Sequence, residues 1–412
     1  MMRAERVCLS VQSQMSIEPL SVTAFTLVNA LGLGCSASLQ ALREARSGLT
    51  HCDLPGIALD TWIGRVPDLE SAPLPDGLQA FDCRNNRLAN LTLQQDGFDR
   101  EVERVRAGYG PERIGLFLGT STSGLEHTEA AYRRRTLSGN EDLGDDLRFD
   151  QTHSNFSLGA FCRTRLGISG PTQVVSTACS SSAKVFATAS RHLLSGLCDA
   201  AIVGGTDTLC STTLHGFASL ELLSPHPCQP WGRDRRGISL GEGAGFVLLE
   251  RLPPSPSRPA LLGYGESSDA HHISSPHPNG LGAALAMRAA LDRAGLPPEA
   301  IDYLNLHATG TPANDRAEDR AIAQCFTRPP RASGTKGWTG HTLGAAGVTE
   351  AVICLLALKQ GFLPANLNRG VQDPDLALDV LETGLEFSPQ IVMTNAFGFG
   401  GTNASLVLGY PR

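Results

Sequence analysis

The feature that most constrains this chain is a strand that enters a helix through a cysteine-bearing elbow. Residues 173–177 are largely apolar or β-branched and follow the Gly170-Pro171 break, which predicts a short buried strand. Ser180, Ser181 and Ser182 come next, and an apolar face of Ala183, Val185, Phe186 and Ala187 then continues to Leu194 before Gly196. That pattern predicts a helix with a serine-rich first turn and a glycine stop. Cys179 therefore lies at a helix N-terminus, where unpaired N–H groups and the positive end of the helix dipole favour a thiolate. The same groups suit an oxyanion formed when the thiolate attacks a carbonyl. A free cysteine is more often a small buried core residue, so the elbow alone leaves both readings open.

With 412 residues the chain can build two cores or one large layered domain. Its net charge of −7 argues against nucleic-acid binding and gives no membrane-surface signal, although local basic clusters still suit an acidic partner. The 11 cysteines show neither CxxC pairs nor zinc-type spacing, which points away from a disulfide framework and a metal and toward a reducing cytoplasm. Residues 1–14 are mostly polar without an apolar segment, so they read as an N-terminal extension and not as a signal peptide. No apolar run is expected to approach the roughly 18 residues that span a bilayer.

Periodicity predicts strands at 20–30, 114–119, 199–205, 243–250, 303–307 and 391–395. It predicts helices at 36–47 (closed by Gly48), 84–107, 125–135, 284–294, 314–325 and 342–360. The alternation implies α/β architecture with a mostly parallel sheet. Residues 252–260 are too proline-rich for helix or central strand and mark a connector. The small-then-bulky pattern of residues 342–352 mirrors the helix after Cys179. We therefore expect two similar halves, 15–253 with the cysteine and 254–412 with two histidines.

Three later segments combine polar chemistry with small neighbours. His307 ends a predicted strand and opens a turn that runs through Thr309 and Thr311 to Asp315; Lys336 and His341 precede a helix; residues 395–403 form a glycine-rich loop. In parallel α/β sheets such groups gather at the carboxyl ends of strands. A lone histidine is usually structural, but two at comparable elbows, with a cysteine at a third, suit thioester chemistry. The thiolate takes an acyl group while the imidazoles stabilise an enolate oxygen or assist loss of a carboxylate. The glycine loop lacks the following helix and lysine of a phosphate-binding loop, which excludes a nucleotide role.

Gly119-Thr-Ser-Thr-Ser-Gly124, Thr177-Ala-Cys-Ser-Ser-Ser182, Gly241-Glu-Gly-Ala-Gly245, the two histidine motifs and the terminal Gly-Phe-Gly-Gly-Thr-Asn, in this order, resemble the β-ketoacyl–acyl-carrier-protein synthases. These are condensing enzymes of the thiolase superfamily, and the likeness runs from about residue 22 to 408. It implies a thiolase-like five-layered αβαβα fold with two pseudo-repeated halves, and a dimer. It implies that Cys179 is the acylated nucleophile and that His307 and His341 promote decarboxylation of a malonyl thioester. Lys336 would support them, paired with Glu350. Backbone N–H groups of Cys179 and Phe399 would form the oxyanion hole, with Phe399 also a gate. Phe397, Gly398 and Gly400 would join Thr309 and Thr311 on the substrate path, and Gly400 and Gly401 would free the gate. Asp315 and Glu318 would belong to a structural polar or cation-binding network.

The likeness further implies that the phosphopantetheine arm arrives on an acyl carrier protein and that no redox cofactor or metal is needed. The second subunit would be another copy or a chain-length-factor-like partner. Thiolases place a second cysteine in the C-terminal glycine loop, which is absent here, and chain-length-factor subunits lack the nucleophile, which is present. A non-catalytic scaffold subunit is the rival reading, weakened by the intact Cys179, His307 and His341. Residues 268–280 and 314–318 are similar to synthases of aryl-polyene pathways, against the alternative of fatty-acid elongation. His271 and His272 read as loop or dimer contacts. Acidic carriers call for a basic entrance, for which Arg133, Arg134, Arg135, Arg233, Arg235 and Arg236 are candidates, Arg235 foremost.

Overall fold

The computed structural model describes residues 16–411 apart from 140, 141, 146 and 254, so the extension at 1–14 lies outside the described residues. Ten strands carry the fold: β1 (Leu20–Asn29), β2 (Ile114–Gly119), β3 (Thr172–Val175), β4 (Ala200–Asp207), β5 (Gly243–Glu250), β6 (Ala260–Ser268), β7 (Tyr303–Leu306), β8 (Arg331–Gly334), β9 (Ile391–Gly398) and β10 (Thr402–Gly409). They lie side by side in the order β8-β7-β9-β10-β6-β1-β5-β4-β2-β3. Read outward from the middle, β1-β5-β4-β2-β3 and β6-β10-β9-β7-β8 are the same sequence of pairings. In each half the second strand runs parallel to the third and fourth, and the remaining ladders are antiparallel. The chain thus repeats one motif twice. Within the sheet, among the described residues, two residue pairs join the repeats, Leu20 with Leu261 and Ser21 with Ala260. The expected mostly parallel sheet is corrected to a mixed one, because β9 and β10 form a hairpin and β5 returns antiparallel between β4 and β1.

Of the helices among the described residues, seven build the main layers: α1 (Arg84–Leu93), α2 (Phe98–Tyr109), α3 (Phe156–Leu166), α4 (Ser181–Leu194), α5 (Leu281–Ala294), α6 (Pro312–Cys325) and α7 (Ala346–Gln360). Helices α1, α2 and α3 cover the outer face of the first half, while α5 and α6 cover that of the second. Helices α4 and α7 lie between, in the core they share with both halves. The period-2 rule of strands shows how one ladder feeds two layers. In β4, Ala201 and Val203 face the central core while Ala200 and Ile202 face the outer one. Strand β5 repeats this, with Val247 and Leu249 inward and Phe246 and Leu248 outward.

Being central, α7 is buried on every side from Ala346 to Leu358. A helix enclosed all round is apolar all round. This corrects the expectation that no stretch is long and apolar enough to cross a membrane, since Leu343–Gln360 passes that test with a mean hydropathy of 1.4. It is 89% buried inside the protein, and that burial accounts for its composition.

The two central helices meet at their N-termini. A Cβ at Gly347 would lie 2.5 Å from Ala183 N, and the Ser182 hydroxyl accepts from Val348 N at 2.9 Å. Substituting Gly347→Ala is expected to lower stability by about 1–3 kcal/mol through overpacking, measurable as a lower denaturant midpoint with unchanged m-value.

Several boundaries differ from expectation. Residues 84–107 form two helices, because Asp96 and Gly97 adopt φ of 55° and 72° and break the backbone. The helix expected at 36–47 spans Gly34–Arg43; Ala45 at φ 52° turns the chain, and Gly48 packs against Ala30 instead of capping. Strand β3 is half-exposed, as an edge strand with one free side must be. Helix α7 starts at Ala346 because Leu343 takes φ 52° just before it. The proline-rich connector falls as expected between β5 and β6.

Candidate active site

Cys179 follows β3 and precedes α4 across Ala178, whose φ of 51° lies in the left-handed region. Such strain persists only where the surroundings fix it. Here the Ser181 hydroxyl donates to Ala178 O at 2.6 Å and accepts from Thr177 N at 2.9 Å, while Thr402 Oγ1 of the glycine loop donates to Thr177 O at 3.0 Å. The elbow and the loop between β9 and β10 are thereby tied together.

The thiol itself differs from expectation. Burial pushes Cys179 up to about 11, against the opposing pull of the Lys336 charge and of the N–H groups of Phe399 and Cys179. At this elbow desolvation outweighs the stabilising groups. The resting group is a neutral thiol, not the thiolate expected from the helix N-terminus.

His307 follows β7, and its N–H and that of Ala308 both donate to Glu318, each at 2.8 Å. Asn395 from β9 donates to the same carboxylate at 3.1 Å. Burial pushes Glu318 up to about 7 while these donors pull it back. Lys336 is fully buried; its ammonium contacts the His307 carbonyl and the Glu350 carboxylate and approaches His307 Nδ1 at 3.3 Å. Glu350 is likewise raised to about 7 by burial, with Lys336 opposing.

His341 precedes the Leu343 turn, and its Nδ1 accepts from Leu343 N at 3.1 Å. In a neutral imidazole the proton then sits on Nε2, which has no partner among the described residues. The Lys336 ammonium imposes the same tautomer on His307. Burial first, and the Lys336 charge second, hold both histidines well below the usual imidazole range, so both are neutral. Their rings stand 5.4 Å apart at 87°. Cys179 Sγ and one ring nitrogen of each histidine all lie within 4.8 Å of one another. This grouping has the spacing of a metal site, but ligation through Nε2 requires that nitrogen to be bare and Nδ1 to carry the proton. Both rings are held in the opposite sense.

All three residues open into one cleft of about 700 Å³, mouth included. Thr309, Thr311, Phe397, Gly398 and Phe399 line it. Phe399 packs on Phe217 with ring centroids 5.6 Å apart. Gly400 is not a lining residue; at φ 80°, with nothing within 4 Å of a would-be Cβ, it gives the Phe399 turn room and freedom. A larger groove of about 1100 Å³ elsewhere on the surface contains none of the predicted catalytic or substrate-path residues.

Asp315 accepts from Trp231 N at 3.0 Å and from Gly310 N at 3.2 Å. Arg235 does not serve as a surface contact. It is 5% exposed and forms ion pairs with Asp315 at 3.4 Å and Asp373 at 2.7 Å. Buried carboxylates require such a countercharge, which draws this arginine inward while Arg233 and Arg236 remain exposed. Arg133 lines the larger groove and not the cleft. His271 and His272 are exposed, His271 against His277 at 5.2 Å between centroids.

Sequence reasoning missed Asp207 and Phe217. Asp207 is the last residue of a strand predicted only to 205, and it is a fully buried acceptor for the Thr120–Thr122 turn. A charged residue ending an apolar strand was the available signal.

Comparison with known proteins agrees with this geometry. The beta-ketoacyl synthase N-terminal domain model matches residues 88–255, and the C-terminal domain model matches 260–369. The chain is 35% identical to 3-oxoacyl-[acyl-carrier-protein] synthase 2 of Coxiella burnetii over 416 residues, 94% of this chain and 97% of that one. It is 40% identical to the mitochondrial 3-oxoacyl-[acyl-carrier-protein] synthase of Arabidopsis thaliana over 265 residues, 59% of this chain and 57% of that protein. Among solved structures, the ketosynthase ApeO in complex with its chain length factor ApeC from Xenorhabdus doucetiae superposes with a TM-score of 0.88 at 39% identity, covering 96% of this chain and 98% of that one. The chain belongs to the β-ketoacyl synthase family, acyltransferases of thiolase-like fold that catalyse condensation.

Proposed function

We propose that Cys179, His307 and His341 carry out a decarboxylative Claisen condensation between an acyl group and a malonyl thioester delivered on an acyl carrier protein. The observation that supports it is a buried thiol beside two neutral imidazoles, both presenting Nε2–H toward one cleft. In the first half-reaction Cys179 Sγ bonds to the acyl carbonyl carbon and the carrier's C–S bond breaks. The thiol proton passes to the departing phosphopantetheine sulfur, so one thiol replaces another. This balance suits a nucleophile that rests as a neutral thiol.

In the second half-reaction the malonyl C–carboxylate bond breaks and carbon dioxide leaves. The electron pair enters an enolate whose oxygen accepts from His307 and His341. The enolate carbon attacks the acyl carbonyl, the C–Sγ bond breaks, and the departing sulfur takes up one proton from solvent. The N–H groups of Cys179 and Phe399 hold the oxyanion in both attacks, and Lys336 with Glu350 keeps His307 oriented. Phe399 opens away from Phe217 to admit the second substrate.

The chain divides functionally at about residue 253, the nucleophile belonging to the first half and the imidazoles to the second. The partner subunit is a second copy or a chain-length factor, in a cytoplasmic pathway of the polyene or polyketide type; likeness to a ketosynthase solved with its chain length factor supports this. Exposed Tyr132, Leu137, Phe149 and Phe156, the last at the start of the helix α3 that packs on the half-exposed edge strand β3, supply apolar surface for it. The carrier meets Arg233 and Arg236, close in sequence to Ile238 of the cleft. No free cofactor takes part, the pantetheine arm being covalently part of the substrate.

Intact mass after exposure to a panel of acyl carrier thioesters tests the proposal. An adduct that malonyl carrier protein discharges is expected. No adduct at any chain length, with or without a partner subunit, leaves a scaffold role instead. The histidines add a pH test. Because both are held well below the ordinary value of 6.5, malonyl decarboxylation is expected to stay level as pH falls through 6.5 and to decline only at lower pH. A midpoint near 6.5 in the rate profile contradicts neutral, desolvated donors.

A further inference from the structure

Asp207 takes no part in the chemistry just described, yet its carboxylate is fully enclosed and hydrogen-bonded on both oxygens. Oδ1 accepts from Thr120 Oγ1, Thr122 N and Thr122 Oγ1, each at 2.7 Å. Ser121 N spans both oxygens at 2.9 Å. Oδ2 accepts in addition from Gly344 N at 2.5 Å. Gly344 follows Leu343, whose φ of 52° is unfavourable for a leucine and whose N–H donates to His341 Nδ1. Two consecutive N–H groups of one strained turn therefore point at two groups: Leu343 at the histidine and Gly344 at the aspartate. The turn has no slack on the aspartate side, since a Cβ at Gly344 would lie 2.6 Å from both Asp207 Oδ2 and Ser121 Oγ.

We propose that Asp207 is a positioning residue for the condensation: by holding Gly344 N it keeps Leu343 N–H on His341 Nδ1, and so keeps the His341 proton on Nε2, facing the cleft. The inference rests on the proposed role of His341 as an enolate donor. An asparagine at 207 has one acceptor oxygen and two N–H donors. Its amide nitrogen must face either Gly344 N–H or the Thr120–Thr122 donors, donor against donor, and the turn loses its anchor.

The test uses the full chain with 15N-labelled histidine, the His341 signals being identified by their loss in His341→Gln. Malonyl decarboxylation is measured in a Cys179→Ala background, so that acyl transfer does not enter. Asp207→Asn is expected to move the His341 nitrogen shifts toward the other tautomer and to slow decarboxylation about 10–100-fold. Thr120→Val removes one hydrogen bond from the same carboxylate but leaves Gly344 in place. It is expected to lower stability while leaving the tautomer unchanged and the rate within about threefold of the parent. Unchanged His341 shifts in Asp207→Asn overturn the inference, and so does an equal loss of rate in Thr120→Val. If Asp207→Asn does not fold, Asp207→Glu is measured in its place against the same two outcomes. A parent without decarboxylation removes the proposed function, whereas the tautomer measurement still decides the role of Asp207.

Discussion

Replacing Cys179 by alanine is expected to abolish the acyl adduct and to lower condensation by about 10³-fold or more, because its sulfur is the nucleophile set beside both imidazoles in the cleft. The variant separates the two half-reactions. The histidines, their tautomers and the Lys336–Glu350 pair do not depend on the sulfur, so breakdown of malonyl carrier protein to acetyl carrier protein is expected to persist. Carbon dioxide release and intact mass, measured on one sample, read both. Persistent acylation in the variant relocates the nucleophile. Ten described cysteines are buried and unpaired, but Cys179 is the one whose sulfur faces both imidazoles across the cleft.

Replacing His307 by alanine is expected to give the reverse pattern. One of the two enolate donors disappears, and loss of such a donor costs about 10²–10³ in rate. Acyl transfer onto Cys179 uses the backbone N–H groups and is expected to stay within about tenfold. The altered packing around Lys336 adds a stability cost, since the buried ammonium loses its Nδ1 acceptor while keeping Glu350. A thermal melt alongside the single-turnover rates separates the two effects. Equal losses in both half-reactions would contradict a role confined to decarboxylation. Unimpaired turnover would favour an acyltransferase that neither decarboxylates nor condenses.

Much of this site was legible because its residues lie where local pattern is strongest. Cys179 and His307 follow apolar stretches and His341 precedes a helix that opens on small residues, so the strand ends and helix starts beside them could be placed from pattern. The left-handed residues at Ala178, Ala308 and Leu343 could not, because none is a glycine. Their conformations are imposed by tertiary hydrogen bonds, which no local propensity encodes. Arg235 was misread for a related reason. Arginine is ordinarily exposed, and its burial follows from Asp315 and Asp373, which are 80 and 138 positions away in the sequence. The thiol was misjudged because a helix N-terminus is visible in sequence while the depth of burial is not. The break between α1 and α2 turned on Asp96 and Gly97, where an apolar period continues across a backbone that does not.

The narrow seam between the repeats has a mechanical consequence. Two residue pairs join the sheets of the two repeats, yet the nucleophile stands on one side of that seam and the imidazoles on the other. Any sliding of one half against the other changes the sulfur-to-nitrogen distance directly, and misplacement by about 1 Å can cost 10²-fold in rate. So short a ladder offers little resistance to shear. The resistance comes from what else spans the seam: the crossing of α4 and α7, where Gly347 lets the helix backbones close on Ala183 and Ser182 clasps Val348 N, and the bonds from Thr402 to Thr177 O and from Gly344 N to Asp207. These contacts, more than the sheet, are the bearing on which the reactive geometry is aligned.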